Sequence, residues 1–328
     1  MIVAMKRMSR IGLCLVIGLA LALPAYAQQN AENNDWQKIQ NEKDDKKKAE
    51  LLDAFIKKFA QSTRRPAADF SLIELYQRSR DNVKILQHAE AFRTFAGADN
   101  AAKSQVFAQA MTAAATIQDV KKTAEFGEAA LQADGSNYLV LAFLAGNRLP
   151  NPVKASEYAE KAVGLSRPAA MQEEQYQKMQ IRMHGMVAES MFAQQKFKEA
   201  NDHYPISLKA NPKDHDNQFR YGFALLALTQ MAAADAQKAN SEWVAAMSAT
   251  PADQAKADAA RARQDAASKQ ALDYRDAAVE ALGKAVSIPG QFTEQALLLF
   301  DNAYKSKNKG TLDGKDQFLA QKKTELGL

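Results

Sequence analysis

The chain has 328 residues, one cysteine and a formal net charge of +5. That length is enough to bury a large core, as one extended or two compact domains, and a single cysteine excludes an intrachain disulfide. Alanine supplies much of the 47% apolar content, glycine and proline number only 14 and 9, and alternating runs of Val, Ile and Thr are scarce, so an all-α fold is expected.

The N-terminus is patterned for export. Lys6, Arg7 and Arg10 form a basic start, Ile11 to Leu23 is an apolar run, Pro24 breaks it, and Ala25-Tyr26-Ala27 is a small-x-small site. This layout reads as a secretory signal peptide over residues 1–27, cleaved after Ala27. The competing reading is a membrane anchor, but the apolar core falls short of the roughly 20 residues needed to span a bilayer. No membrane span is expected in the mature chain. Cys14 lies inside the apolar run and not after it, which argues against lipid attachment, and it leaves with the signal. The mature chain then has no disulfide, thiolate nucleophile or cysteine metal site. The three basic residues leave with no acid, so the charge falls from +5 to +2. The basic balance is therefore no argument for nucleic acid, which asks for a clustered basic face. The expected compartment is the bacterial periplasm.

Gln28 to about Asn34 is polar and reads as a loose segment, with Trp36 and Ile39 opening a first helix. Asp44-Asp45 suits a helix start, because acids favour the N-terminal end. Leu52, Phe55, Ile56 and Phe59 follow at helical spacing. Arg64-Arg65-Pro66 closes that helix, and Pro66 fits the first turn of the next, marked by Phe70, Ile73, Leu75 and Tyr76. Its partner carries Val83, Ile85, Leu86, Ala89, Phe92 and Phe95. Gly97 to Asn100 reads as a turn. Val106, Ala110 and Met111 mark another helix, and Asp119-Val120 opens one with Ala124, Phe126, Ala130 and Leu131 inward. A second turn at Asp134-Gly135-Ser136-Asn137 precedes Tyr138, Leu141 and Leu144. After Leu149-Pro150-Asn151-Pro152, the residues Ala155, Tyr158, Ala159, Ala162 and Val163 form a further apolar face.

Counted from Ile181, Ala188, Ala200, Tyr204 and Pro212 occupy positions 8, 20, 24 and 32 of a unit of about 34 residues. Counted from His215, Gly222 again falls at position 8, and Ala155, Ala159 and Ala162 match positions 20, 24 and 27 of an earlier unit. This spacing resembles the tetratricopeptide repeat, a helix–turn–helix unit. Small residues there let paired helices approach closely. The resemblance implies a right-handed superhelix of antiparallel helix pairs over 28–290, with 291–328 as C-terminal capping helices. It departs from the pattern at Pro205, inside the second helix, where a proline implies a kink or a later start.

It departs again after His215, where a helical pattern runs from Asn217 to about Met247 without the turn due near Leu228. Thr250 reads as an N-cap, Pro251 as N1 and Asp253 as N3 of a helix reaching Ser287. At 1.5 Å per residue such a helix is about 50 Å long. This predicts an elongated hairpin over about 229–272, whose Ala-rich tip, Met231 to Gln270, projects. Arg261, Asp265, Lys269 and Asp273 form a charge ladder along it, and Trp243 is its one large aromatic. The tip is either a solvated helix pair or an arm that meets a partner or a second copy. Beyond Pro289-Gly290, Phe292, Ala296, Leu297, Leu299 and Phe300 mark a helix, and Asp316 to Leu326 closes the chain as a cap.

There is no Gly-rich phosphate loop, nucleophile elbow or H-E-x-x-H helix. His88, His184, His203 and His215 are scattered. Asp214-His215-Asp216 is the one acid–His cluster, and three adjacent residues at a helix start suit capping better than a metal. No catalytic residue, cofactor or metal is expected, and binding of a protein or peptide is the expected function. The repeat resemblance implies that positions 2, 5, 9, 12 and 13 of each first helix line a groove. In this chain these are Arg182, Gly185, Glu189, Phe192 and Ala193, then Asp216, Phe219, Phe223, Leu226 and Ala227. Phe192, Phe219 and Phe223 either make an apolar groove for a partner segment or pack between units. The expected role is a scaffold or adaptor of the cell envelope, with self-association through the hairpin and an unrecognised enzyme as alternatives.

Overall fold

The computed structural model describes residues 27–95, 98–249 and 253–328. The signal segment before Ala27, Gly97 and Thr250-Pro251 lie outside these. The described residues form 14 helices and no strand, so the chain is all-α. None of these helices is long and apolar enough to cross a membrane.

Helix α1 covers 27–41, including the segment expected to be loose. Its polar residues face solvent or neighbouring side chains, while one stripe anchors it. Ile39 is buried, Trp36 packs on Phe55 with centroids 5.2 Å apart, Asp35 pairs with Lys58 at 2.8 Å, and Glu32 accepts from Ser62 at 2.7 Å. There follow α2 (Asp45–Lys58), α3 (Arg65–Arg78), α4 (Asn82–Arg93), α5 (Asn100–Thr116), α6 (Val120–Ala133) and α7 (Tyr138–Gly146). Next come α8 (Pro152–Val163), α9 (Glu173–Ala193), α10 (Phe197–Ala210), α11 (His215–Met247), α12 (Gln254–Ser287), α13 (Thr293–Lys307) and α14 (Lys315–Leu326).

Short polar side chains punctuate these helices. Asp44, Asp81, Asp99, Asp119, Asn151, Asp214 and Asp253 each accept a bond from the backbone N–H three residues on, a cap worth about 1 kcal/mol. Asp253 is thus the N-cap of α12 and not its third residue. Its carboxylate takes the Lys256 N–H, and its own N–H donates to Ala246 O at 3.1 Å, which ties the start of α12 to the end of α11.

One turn geometry recurs after α3, α5, α7, α9 and α13. Arg80, Gln118, Arg148, Gln195 and Lys309 adopt φ of 54° to 60°. The next residue's N–H then reaches back five residues, as Asp81 to Tyr76 O, Asp119 to Ala114 O, Leu149 to Leu144 O, Lys196 to Met191 O and Gly310 to Lys305 O, all at 2.8–2.9 Å. This is the left-handed C-cap closure, made here without glycine at a cost of roughly 1–2 kcal/mol each. After α3, α5 and α9 the next helix packs back on the one just ended, while α8 packs on α9 and α14 on α12.

The chain divides into two compact units, one ending at Val140 and the other beginning at Leu141, within α7; the sequence pattern marks no boundary there. In the first unit each helix from α2 to α6 packs on its sequence neighbours. A polar network joins three of them. Asp69 of α3 is fully buried, 3.4 Å from Arg65 Nε. His88 of α4 puts Nε2 3.1 Å from Asp53 of α2 and Nδ1 3.7 Å from Asp69. Tyr76 stacks on His88 at 5.5 Å and donates to Asp53 at 2.9 Å. Burial first, and the Asp53 carboxylate second, raise the phenol above its ordinary range.

In the second unit α8 to α13 pack in series, and α14 closes on α12. Ala155, Ala162, Ala188, Ala200 and Tyr204 are fully buried and Gly222 is buried, while Pro212 is exposed just beyond α10. Helix α10 runs unbroken from Phe197 through Pro205, so it does not start late. Pro205 is exposed, and the Asn201 carbonyl that loses its partner lies one turn earlier.

Helices α11 and α12, of 33 and 34 residues, form the long hairpin, about 50 Å at 1.5 Å per residue. At its base, Gly222 lies against Leu282, and a Cβ there would stand 2.6 Å from Leu282 Cγ and 3.2 Å from its backbone N. Val279, Leu282, Phe300, Ala303 and Tyr304 form the core beneath. Farther out, burial is confined to one stripe per helix: Ala232, Ala236, Ala239 and Ala246 on α11, Ala257 and Ala260 on α12. The three- and four-residue steps are those of a two-helix seam, and the remaining faces are exposed. Arg263 bridges to Glu242 at 2.6 Å, Arg261 pairs with Asp265 at 3.6 Å, and Arg261 lies over Trp243 at 6.0 Å.

Gly222→Ala is expected to lower stability by roughly 1–3 kcal/mol, because the new methyl meets backbone as well as side chain. Ala234→Ser, on an exposed face of α11, is expected to change it by less than about 0.5 kcal/mol. Urea denaturation of the two variants checks both.

Candidate functional site

The face of α9 carries Arg182, Gly185, Met186, Glu189 and Ala193, three or four residues apart and therefore on one side of the helix. Two cavities open along this face. One, of about 370 Å³, is lined by Gly146 and Arg148 after α7, Lys178, Arg182, Gly185 and Glu189 of α9, Ser207 and Asn211 at the end of α10, and Asp214 and Asn217 at the start of α11. The other, of about 550 Å³, is lined by Arg148, by Pro152, Val153, Ser156, Glu157 and Glu160 of α8, by Glu189, Ser190 and Ala193 of α9, and by Lys196. Arg148, Met186 and Glu189 line both, so the two form one groove.

Its walls are set by backbone features. The left-handed residue closing α7 is Arg148, which brings its guanidinium to Glu189 at 3.4 Å. Arg220 of α11 reaches the other Glu189 oxygen at 3.7 Å. Arg182 donates to the Gly146 carbonyl at the end of α7, where a cation also meets the negative end of the helix. A Cβ on Gly146 would lie 3.1 Å from Arg182 Cζ, so glycine leaves that approach open. Asp214 is occupied as the α11 cap, accepting from Asn217 N and Nδ2, both at 3.0 Å. The cavity toward α10 and α11 sets Arg148, Lys178 and Arg182 against Glu189 and Asp214, and the one toward α8 sets Glu157, Glu160 and Glu189 against Arg148 and Lys196, with Arg148 and Glu189 shared by both.

The five residues expected to line a groove do not stay together. Arg182 and Glu189 line the cavities described. Phe192 and Phe223 sit with Phe197 in an aromatic group, centroids 5.6–6.1 Å apart, and Phe223 remains 39% exposed. Phe219 is no groove residue. It stacks on Phe292 at 4.7 Å and packs against the core of Val279, Leu282 and Phe300, because its side of α11 faces the segment that returns before α13. Of the second set, Asp216 accepts from Gln291 at 2.7 Å.

His215 is structural. Its Nε2 accepts the Phe292 N–H at 3.1 Å, which leaves Nδ1–H to donate to Ala285 O at 3.1 Å. Among the described residues no three His, Cys, Asp or Glu side chains converge as a metal site would require. Sequence reasoning passed over the contact between His184 and His203, whose Nδ1 atoms lie 2.7 Å apart beside the groove. Burial holds both rings below the ordinary histidine range. The only sequence signal was position: both residues lie within the clearest repeat unit. No family model and no curated protein matches this chain.

The two aromatic environments separate by mutation. Phe219→Ala is expected to cost about 3 kcal/mol, as for a large core truncation. Phe223→Ala is expected to cost about 1 kcal/mol, since much of its ring already meets water. Equal losses in urea denaturation would contradict this assignment.

Proposed function

We propose that this chain is an exported, non-enzymatic scaffold of tetratricopeptide-like helix pairs, wound as a right-handed superhelix. In the bacterial periplasm it holds an extended segment of another protein along α9. The observation that carries this reading is the continuous groove beside Arg182 and Glu189, which mixes charged rims with the apolar surface of Met186, Val153 and Ala193. Support for the repeat comes from the left-handed turn that recurs after α3, α5, α7, α9 and α13 and from the buried small residues Ala155, Ala162, Ala188 and Ala200. Support for export comes from the basic, apolar and small-residue order of residues 1–27.

A groove of this kind recognises a segment by alternating contacts, with small apolar side chains on Val153 and Met186 and charged groups of the segment on the mixed-charge rims. A photo-crosslinking residue at Ala193 or at Arg182, in cells, is expected to capture the same protein. A control at Leu298, which is 65% exposed on α13, is expected not to. Recovery of no protein from either groove position, or of the same set from Leu298, would sink the proposal.

A second reading, self-association through the hairpin, is favoured by Met231 and Val244, which are 58% and 47% exposed on the distal half of α11. If it holds, the solution mass doubles with concentration and Met231→Glu with Val244→Glu returns it to the monomer. A mass that stays monomeric at all concentrations rejects it.

A further inference from the structure

His184 on α9 and His203 on α10 face each other with Nδ1 atoms 2.7 Å apart. The ring centroids are 4.9 Å apart, close to the N···N distance plus the two ring radii, so each nitrogen is aimed along the other's lone-pair direction. Two bare lone pairs repel at this distance. One proton must lie between them, with one ring as the Nδ1–H tautomer donating and the other as the Nε2–H tautomer accepting. An ion between collinear nitrogens needs roughly 2 Å to each, which is more room than the pair leaves.

The helices that carry the rings are held close by other contacts. A Cβ on Gly185 would stand 2.8 Å from Ser207 Oγ across the same seam. Ala188, Ala200 and Tyr204 are fully buried together there with Leu208. The helices that carry the rings therefore cannot part without loosening a packed joint.

We propose that His184 and His203 form a proton-operated latch on the α9–α10 seam, closed while the rings share a proton and opened when both become imidazolium. The first added proton goes to the free Nε2 of the donating ring. The bond survives and becomes charge-assisted. The second has only the acceptor's Nδ1 left, the lone pair that makes the bond. Taking it up breaks the bond and sets two N–H groups and two positive charges face to face. The latch is a property of the seam and operates with the groove empty or filled.

The surroundings bias it toward the closed form. Burial is the first cause that holds both rings below their ordinary value of 6.5, and His203 adds to this for His184. Asp202 on α10 and Glu160 on α8 pull His203 the other way without reversing it. From α11, Arg220 and Asp214 act on Tyr204, the residue after His203, and not on the rings. Because the folded chain binds these protons less readily than the unfolded one, the latch's contribution is whole above pH about 6.5. It is lost as the pH falls from there through the depressed folded values.

The test uses the full chain with nitrogen-labelled histidine. At pH 7.5 the spectrum is expected to show opposite tautomers for His184 and His203, both titrating below 6.5. Between pH 7.5 and 5.0 the urea unfolding constant is expected to rise about tenfold more than in His184→Gln/His203→Gln. Identical pH dependence in the two proteins, or two rings titrating independently at the ordinary value, would overturn the latch. So would a stoichiometric metal whose removal by chelation shifts the ring signals, since a cation would then stand where the proton is placed. The spectra need only the wild-type chain, so a double variant that fails to fold leaves the test intact.

Discussion

Several joints of this fold leave no room for a larger side chain. Gly222 admits Leu282 at the base of the hairpin, Gly185 admits Ser207 between α9 and α10, and Gly146 admits the Arg182 guanidinium. Ala155, Ala188 and Ala200 do the same at their crossings, all without exposure. Part of the alanine content follows from this demand; Ala233, Ala234, Ala255, Ala259 and Ala262 lie exposed on the hairpin, where helix propensity is what alanine contributes. Small residues bury little apolar area each, so stability must come from long, continuous seams. The hairpin takes that solution farthest, with alanine at nearly every seam position of its distal half.

Close crossings also fix what lies beside them. Because Gly185 lets α10 come near α9, His184 and His203 meet at hydrogen-bond distance. Because α7 stops at Gly146 and turns through a left-handed Arg148, α7 and α9 exchange guanidinium contacts: Arg182 of α9 donates to the Gly146 carbonyl, and Arg148 reaches Glu189 of α9. The groove is what remains between α8, α9 and the start of α11 once these approaches are made. Its charged rim is ordered by backbone geometry, while its ion pairs, half exposed, contribute little stability themselves.

The parts of this structure legible in the sequence are those encoded locally. The helix starts at Asp44 and Asp119, Pro66 in a first turn, and the uninterrupted stretches of α11 and α12 were visible because each depends on a few adjacent residues. The misses depend on distant ones. The helical state of 27–41 is secured by contacts of Glu32, Asp35 and Trp36 with residues around Phe55, Lys58 and Ser62, which a polar segment does not advertise. The recurring left-handed turn was hidden because Arg80, Gln118, Arg148, Gln195 and Lys309 stand where glycine would have marked it. The different fates of Phe219 and Phe223, one turn apart on α11, are decided by where Phe292 and Phe197 arrive.

Helix α9 shows how these constraints converge. One face, through Ala188, is spent on the α10 contact; a second, through Arg182, Glu189 and Ala193, lines the groove; and His184 lies at the edge between them. In a rigid helix these faces cannot move independently over one or two turns. A displacement of α10 that parted the rings would also shift Ser207 and Asn211, which line the cavity toward α10 and α11. That physical continuity makes the seam the place where the state of a buried proton and the shape of an exposed surface are set by the same few residues.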